Sequence, residues 1–210
     1  MIHVVTNENA AEYKDLLEEM FRWRHQIYVE QRGWKALARP DGREIDQFDN
    51  ADTVYHIVLD EDDKFAGSMR FNPTHRATLI AEVFSHLVIR GELPRSPSVW
   101  DVTRGFVIPS KRRESGKCPA LDELFTGMME WAVAEELDYM VGLGEIHWLP
   151  RWLKMGWVVD PLGLPSLIEG EYWVPMRIET GASILAATRQ AFQLPDVSVF
   201  AHQKSMRLAS

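Results

Sequence analysis

The chain has 210 residues, 46% of them hydrophobic and 26% charged, with a formal net charge of −8; that length and balance suit one soluble domain over residues 1–210. The acidic balance argues against nucleic acid as a partner, because holding phosphates takes a basic surface. A single cysteine, Cys118, excludes a disulfide framework within the chain and a multi-cysteine zinc site, and it suits a reducing cytoplasm.

Ile2–Val5 reads as a short strand. Glu8, Glu12 and Lys14 then interrupt the stretch where a secretory leader needs a continuous apolar core, and no run reaches the length of a membrane span. The expected location is therefore cytoplasmic, with no membrane partner. A helix is expected from about Glu8 to Gln31, capped by Asn7. Tyr13, Leu16, Leu17, Met20, Phe21, Arg24, Ile27 and Tyr28 recur there at the i, i+3, i+4, i+7 spacing of one face. Arg24 is the misfit on that apolar stripe. A guanidinium does not shed its proton, and burying it unpaired costs on the order of several kcal/mol. Carboxylates must reach it, and Asp46 and Asp49 are the nearest candidates downstream. Residues 33–50 lack periodicity and hold the turn signal Arg39-Pro40-Asp41-Gly42, the pattern of a functional loop or lid.

Val54–Leu59 and Phe65–Phe71 read as a hairpin closed by Asp60-Glu61-Asp62-Asp63, and residues 78–87 as a short helix carrying Phe84. A strong strand follows at Val99–Val107. Lys111–Lys117 is a basic loop leading into a helix with Leu121, Leu124, Phe125, Met128, Met129 and Ala132 on one face. Tyr139–Leu143 reads as a buried strand and His147–Lys154 as a helix closed by Gly156. Trp157–Val159 and Glu171–Ile178 read as strands. Residues 181–210 supply a last helix, Ala182–Phe192, and a loosely tied tail. The order predicts an α/β fold with one mixed sheet and helices on both faces.

Three groups could carry chemistry. Arg24 with Asp46 and Asp49 is either a cation held in a ligand pocket, with Trp34 as an aromatic wall, or an ion pair pinning the loop to the helix. Asp101 and Arg104 stand three apart in a strand, so they share a site only if the strand bulges, which Gly105 favours. A carboxylate there could take a proton from an amine; the alternative is one solvent-facing charge and one structural pair. The basic loop ahead of a helix suits a pyrophosphate or phosphopantetheine, or is simply solvated. Other chemistries lack their residues. The seven histidines show no metal-ligand spacing. His147 stands where Gly142-Leu143-Gly144 would need the third glycine of a dinucleotide fingerprint. There is no Gly-x-Ser-x-Gly elbow, and a nucleophilic role for Cys118 would need a histidine that the sequence does not identify.

Taken in order, Arg24, Tyr28, Trp34, Asp46, Asp49, Arg70, Phe84, Asp101 and Arg104 resemble the signature of the acyl-homoserine-lactone synthases, the autoinducer synthases of bacterial quorum sensing, over roughly residues 1–178. Tyr28 stands where that family usually has Phe. Asp101 stands where it usually has Glu, a reach shorter by one methylene.

The resemblance implies an N-acetyltransferase-like fold, with a V-shaped mixed sheet and the acyl thioester in its cleft. It implies N-acylation of S-adenosylmethionine by that thioester. The methionine-derived carboxylate then attacks its own γ-carbon, closing the lactone and releasing methylthioadenosine. Both molecules are substrates, and neither a further cofactor nor a metal is implied. On this reading Asp101 accepts the proton, Arg104 clamps the substrate carboxylate, Asp46 meets the amine or sulfonium, and Arg24, Asp49 and Arg70 organise the site. Tyr28 and Trp34 contact the sulfonium or adenine. Phe84, Phe106, Val141, Leu143 and Trp148 line the substrate pocket, and Arg112, Arg113, Gly116 and Lys117 take the pantetheine arm and pyrophosphate. The segments Arg39–Asp46, Trp148–Arg151 and Pro161–Pro165 are most similar to the subgroup using coenzyme A thioesters of branched-chain or aryl acids. Acyl carrier protein is the alternative donor; being strongly acidic, it would need a local basic patch such as Arg151, Lys154 and the basic loop.

Overall fold

The computed structural model describes residues 1–111 and 118–200. Its frame is an eight-stranded sheet of β1 (Ile2–Val5), β2 (Val54–Leu59), β3 (Phe65–Pro73), β4 (Val99–Val107), β5 (Tyr139–Glu145), β6 (Val159–Pro161), β7 (Ser166–Ile168) and β8 (Glu171–Glu179). The path runs β1-β2-β3-β4-β5-β8-β6, with β7 also on β8. Among these eight strands, β4 and β5 are the pair that runs parallel.

That parallel pairing is also where the sheet divides. Val99–Val102 pair with Tyr139–Gly142, and the register stops there. Further along, β4 stays with β3 and β5 stays with β8, so the two halves part into the expected V. Gly142 lets the strands meet at the base of the split: a Cβ there would lie 2.8 Å from the carbonyl oxygen of Val102.

Helix α1 (Lys14–Arg24) lies on one face, where its Met20 joins Tyr28, Tyr55, Ile57 and Phe106 in one cluster. A short helix α2 (Leu79–Glu82) adds Ile80 against Val99 and Val141. The other face carries α3 (Pro119–Ala134), α4 (Leu149–Lys154) and α5 (Ala182–Phe192). Leu124, Met128, Met129 and Trp131 of α3 pack there on Phe71, Trp100 and Met140, the main core. Burying each such side chain contributes roughly 1.5–3 kcal/mol.

Several elements depart from the sequence expectation. Helix α1 begins at Lys14, and Asn7 does not cap it. Asn9 instead accepts from the Thr6 amide at 2.8 Å and donates to the Val4 carbonyl at 3.0 Å, holding the chain in turns. From His25 to Gln31 the helix widens to π geometry, with the Arg32 N–H reaching back five residues to the Ile27 carbonyl at 3.0 Å. Residues 78–87 form α2, capped by Thr78, and then a separate 3-10 turn at Ser85–Leu87. The strand expected at Trp157–Val159 starts at Val159, since the Trp157 amide folds back to Trp152 O at 3.0 Å. β7 is an unexpected strand; three residues are too few for a period to show. The tail is tied as far as Phe200: Ile2 N–H bonds Val199 O at 2.8 Å, and Phe200 is buried in the core.

Candidate active site

The bulge that Asp101 and Arg104 needed is present. Ser68 pairs with Phe106 and Arg70 with Thr103, so Arg104 and Gly105 together oppose Met69. Arg104 takes the left-handed conformation, φ +52°, which is rare for a side chain larger than glycine's and carries some strain. The extra residue swings the Arg104 side chain towards Arg70 and the loop of residues 44–49.

Three arginines and three carboxylates interlock there. Arg24, fully buried, donates through Nε to Glu44 Oε2 at 2.5 Å and through Nη1 and Nη2 to both oxygens of Asp49 at 2.7 and 2.9 Å. Arg70 grips Asp46 with two bonds of 2.6 and 3.2 Å, lies 3.1 Å from Asp49 Oδ2, and donates to Thr103 Oγ1 at 2.9 Å. Arg104 grips Glu44 at 3.1 and 2.9 Å and reaches Asp46 Oδ2 at 2.8 Å. Its Nη1 has no protein acceptor among the described residues. Tyr55 completes Asp49 with an O–H bond of 2.8 Å. With all six charged the count is neutral, which is how such a cluster tolerates burial. Burial alone would raise the Asp49 and Glu44 carboxyls, but Arg24, with Arg70 on Asp49 and Arg104 on Glu44, outweighs it and holds both below the usual range. The network is closed at Arg24 and Arg70, and opens at its edge: Asp46 is 15% exposed and Arg104 7%.

Asp101 lies on the same side of β4, fully buried. Its Oδ2 accepts from the Ile80 amide at 3.1 Å, and its Oδ1 has no partner among the described residues. Burial pushes its pKa up to about 6, with the Ile80 N–H and the nearby Arg70 resisting the rise. A carboxyl with one free oxygen, titrating just below neutrality, has the character of a general base.

Beside the network stands an aromatic box. The π stretch turns Tyr28 inward, and the Trp34 amide bonds the Tyr28 carbonyl at 2.9 Å. The two rings stack with centroids 5.2 Å apart, and Trp173 closes the box at 5.8 Å from Trp34. Arg104 lies over the Tyr28 ring at 5.4 Å. Arg32 faces all three rings at 5.6–5.9 Å and bonds Glu145 at the end of β5, so this pair spans the two arms of the V. Phe106 meets Tyr28 edge-on at 6.2 Å.

A family model described as autoinducer synthase matches residues 7–181. The chain belongs to the autoinducer synthase family. Isovaleryl-homoserine lactone synthase of Bradyrhizobium diazoefficiens is 34% identical over 197 residues, covering 94% of this chain and 88% of the relative. Among solved structures, the CoA-dependent acyl-homoserine lactone synthase BjaI, with SAM and isopentyl-CoA, superposes with a TM-score of 0.88 at 33% identity, covering 99% of this chain and 95% of that one. A second CoA-dependent acyl-homoserine lactone synthase, MesI, gives 0.85 at 33%, covering 94% and 98%. The split sheet is N-acetyltransferase-like; an acyl-CoA N-acyltransferase of 12% identity shares the fold alone, with a TM-score of 0.55.

The autoinducer synthase fold sorts the remaining residues by face. Successive β5 side chains alternate, so Val141, Leu143 and Glu145 look towards the charged side while Gly142 and Gly144 look towards the main core. Trp148 lies on that second side, stacked on Trp152 and edge-on to Phe125. The structure therefore does not gather Trp148 with Val141. Phe84 is half-buried ahead of the 3-10 turn and makes no ring contact among the described residues. Arg112, Arg113, Gly116 and Lys117 lie outside the described residues. Among the described residues no cluster of three His, Cys, Asp or Glu is placed to hold a metal, and no helix is long and apolar enough to cross a membrane. Glu44, Arg32, Trp173 and Glu145 also belong to the charged and aromatic constellation and lie outside the set of residues expected from the sequence. Glu44 alone left a signal, as a third acid in the stretch Glu44-Ile45-Asp46-Gln47-Phe48-Asp49.

Proposed function

We propose that this chain makes an acyl-homoserine lactone from S-adenosylmethionine and an acyl-coenzyme A thioester. One observation carries the reading: the family's ordered charged and aromatic residues converge at the mouth of a split sheet, with Arg104 and Asp46 at the open edge of the network. The α-amine of S-adenosylmethionine attacks the thioester carbonyl, forming the amide and releasing the coenzyme A thiol. Asp101, directly or through a water, takes the amine proton. Beyond Val102 the β4 edge has no strand partner on the β5 side among the described residues, so main-chain amides there are available to the developing oxyanion. The substrate carboxylate then attacks its own γ-carbon and expels neutral methylthioadenosine, a step that depends on holding the chain folded.

Arg104 Nη1 is the donor for that carboxylate, and Asp46 receives the ammonium before it loses its proton. Tyr28, Trp34 and Trp173 take the sulfonium and adenine. Arg24, Asp49 and Arg70 hold the others in place. The acyl group lies beside Leu143 in the opening between β4 and β5. Met176 and Trp152 fill the space over Gly144, 2.2 and 2.9 Å from where its Cβ would sit, so they close that side, and a compact branched or flat acyl group fits best. Coenzyme A is the favoured donor because both CoA-dependent relatives superpose over nearly the whole chain; acyl carrier protein is the alternative. The substrates are cytoplasmic metabolites, and the enzyme belongs with them.

The test is to incubate the protein with S-adenosylmethionine and a panel of branched, straight and aryl coenzyme A thioesters, following methylthioadenosine and lactone by mass spectrometry. Both products should appear with a short branched or aryl donor. No methylthioadenosine with any donor, acyl carrier protein thioesters included, defeats the proposal. Acylation without methylthioadenosine identifies an ordinary N-acyltransferase instead.

A further inference from the structure

We propose that Glu44 is a positioning residue for Arg104, fixing the direction in which that guanidinium meets the substrate; the proposal rests on the lactone-synthase reading above. Glu44 is 1% exposed and lies between arginines from two different elements. Oε2 accepts from Arg24 Nε at 2.5 Å and from Arg104 Nε at 3.1 Å, and Oε1 accepts from Arg104 Nη2 at 2.9 Å. Its own backbone N–H bonds the Phe21 carbonyl at 3.0 Å, in the last turn before the π stretch. The carboxylate is thus fixed to α1 twice, through its main chain and through Arg24.

Arg104 is the less constrained partner. It comes from a bulge in left-handed conformation, and it is more exposed than Arg24 or Arg70, at 7% against 1%. Glu44 takes the edge formed by Nε and Nη2, in the side-on arrangement that fixes a planar guanidinium in two bonds. With that edge held, the direction of Nη1 is settled, and Nη1 is the group left without a protein acceptor among the described residues. Without the Glu44 charge, three guanidiniums would share the two carboxylates of Asp46 and Asp49. Like charges at this spacing repel strongly in a buried site. Arg104, nearest the edge, would turn outward or take Asp46 for itself. In either case the substrate loses a donor or an acceptor.

The test is a double-mutant cycle of Glu44→Gln with Arg104→Lys, read as kcat/KM for methylthioadenosine release and as the dissociation constant for S-adenosylmethionine. Glu44→Gln alone should lower kcat/KM about 100-fold, the loss expected of a misplaced binding group. In the Arg104→Lys background it should cost less than about threefold more, because interacting groups are not additive. Losses that multiply in full overturn the proposal. Circular dichroism guards against unfolding, and Glu44→Asp, which keeps the charge, should recover at least about tenfold over Glu44→Gln; no recovery by a folded Glu44→Asp counts against it. A ligand-free arm separates this claim from the reaction. The Arg104 Nε–H resonance should exchange slowly in the wild type and rapidly in Glu44→Gln. If it stays protected in the variant, Glu44 does not position Arg104, whether or not the protein releases methylthioadenosine.

Discussion

Replacing Asp101 by asparagine should make the protein more stable near neutral pH while removing its activity. In the unfolded chain this carboxyl ionises near its ordinary value of 3.8, whereas in the fold burial raises it to about 6. Between those values the native state keeps a proton that the unfolded state has lost, so rising pH favours unfolding. The interval, at about 1.4 kcal/mol per pH unit, amounts to about 3 kcal/mol. Above pH 6 both states are ionised and the deficit stays constant. Asparagine does not titrate, and its carbonyl can still accept the Ile80 N–H that now meets Oδ2. The stability of Asp101→Asn minus that of the wild type should therefore rise by about 2 kcal/mol from pH 4 to pH 6 and then level off, all other groups cancelling. Urea unfolding of both proteins at half-unit steps from pH 4 to 8 measures it. A difference that stays flat across this range would mean that Asp101 holds its proton no more tightly in the fold than in the unfolded chain. Wild-type kcat/KM should climb through an acid limb near pH 6, as expected of a base that must be ionised.

His56 should produce the opposite slope. Burial among Phe71, Trp131 and Phe200 holds it neutral, lowering its pKa to about 3. Its unfolded-state proton binds from pH 6.5 downward, so the native state loses stability as pH falls through 6.5 towards 3. His56→Leu should resist acid better, shown by urea midpoints at pH 7 and 4.5; parallel losses in the two proteins would rule this out. Gly142→Ala would push a Cβ to 2.8 Å from the Val102 carbonyl oxygen at the base of the split. It should cost about 1–3 kcal/mol and lower turnover by altering the cleft, and a thermal midpoint equal to that of the wild type would contradict the close approach.

Much of the site was legible because burial imposes conditions on individual residues. Arg24 on an apolar stripe demanded carboxylates, and Asp49 meets it; Asp46 instead holds Arg70 and Arg104. The bulge was a condition set by the three-residue spacing of Asp101 and Arg104, and it is met with Arg104 itself, not Gly105, in the left-handed conformation. The π stretch was not legible, because Ile27 and Tyr28 fit the α-helical spacing and the widening shows only in the Arg32-to-Ile27 bond. The aromatic box was half visible. Trp34 stood close to Tyr28 in the chain, whereas Trp173 and Glu145 come from strands more than a hundred residues away.

Fold class, the order of most elements and the family to which the charged residues point were all legible along the chain, since periodicity and residue type are local properties. Which acid each arginine holds was decided by the tertiary structure. Glu44, Asp46 and Asp49 carry the same charge, with Glu44 longer by one methylene. Their pairing follows from how the loop of residues 44–49 lies between α1 and β4, at distances of 2.5–3.2 Å across that gap. The faces of β5 were decided in the same way: the pleat sends Val141 and Leu143 to the charged side and leaves Trp148 on the other, and no spacing along the chain carries that information.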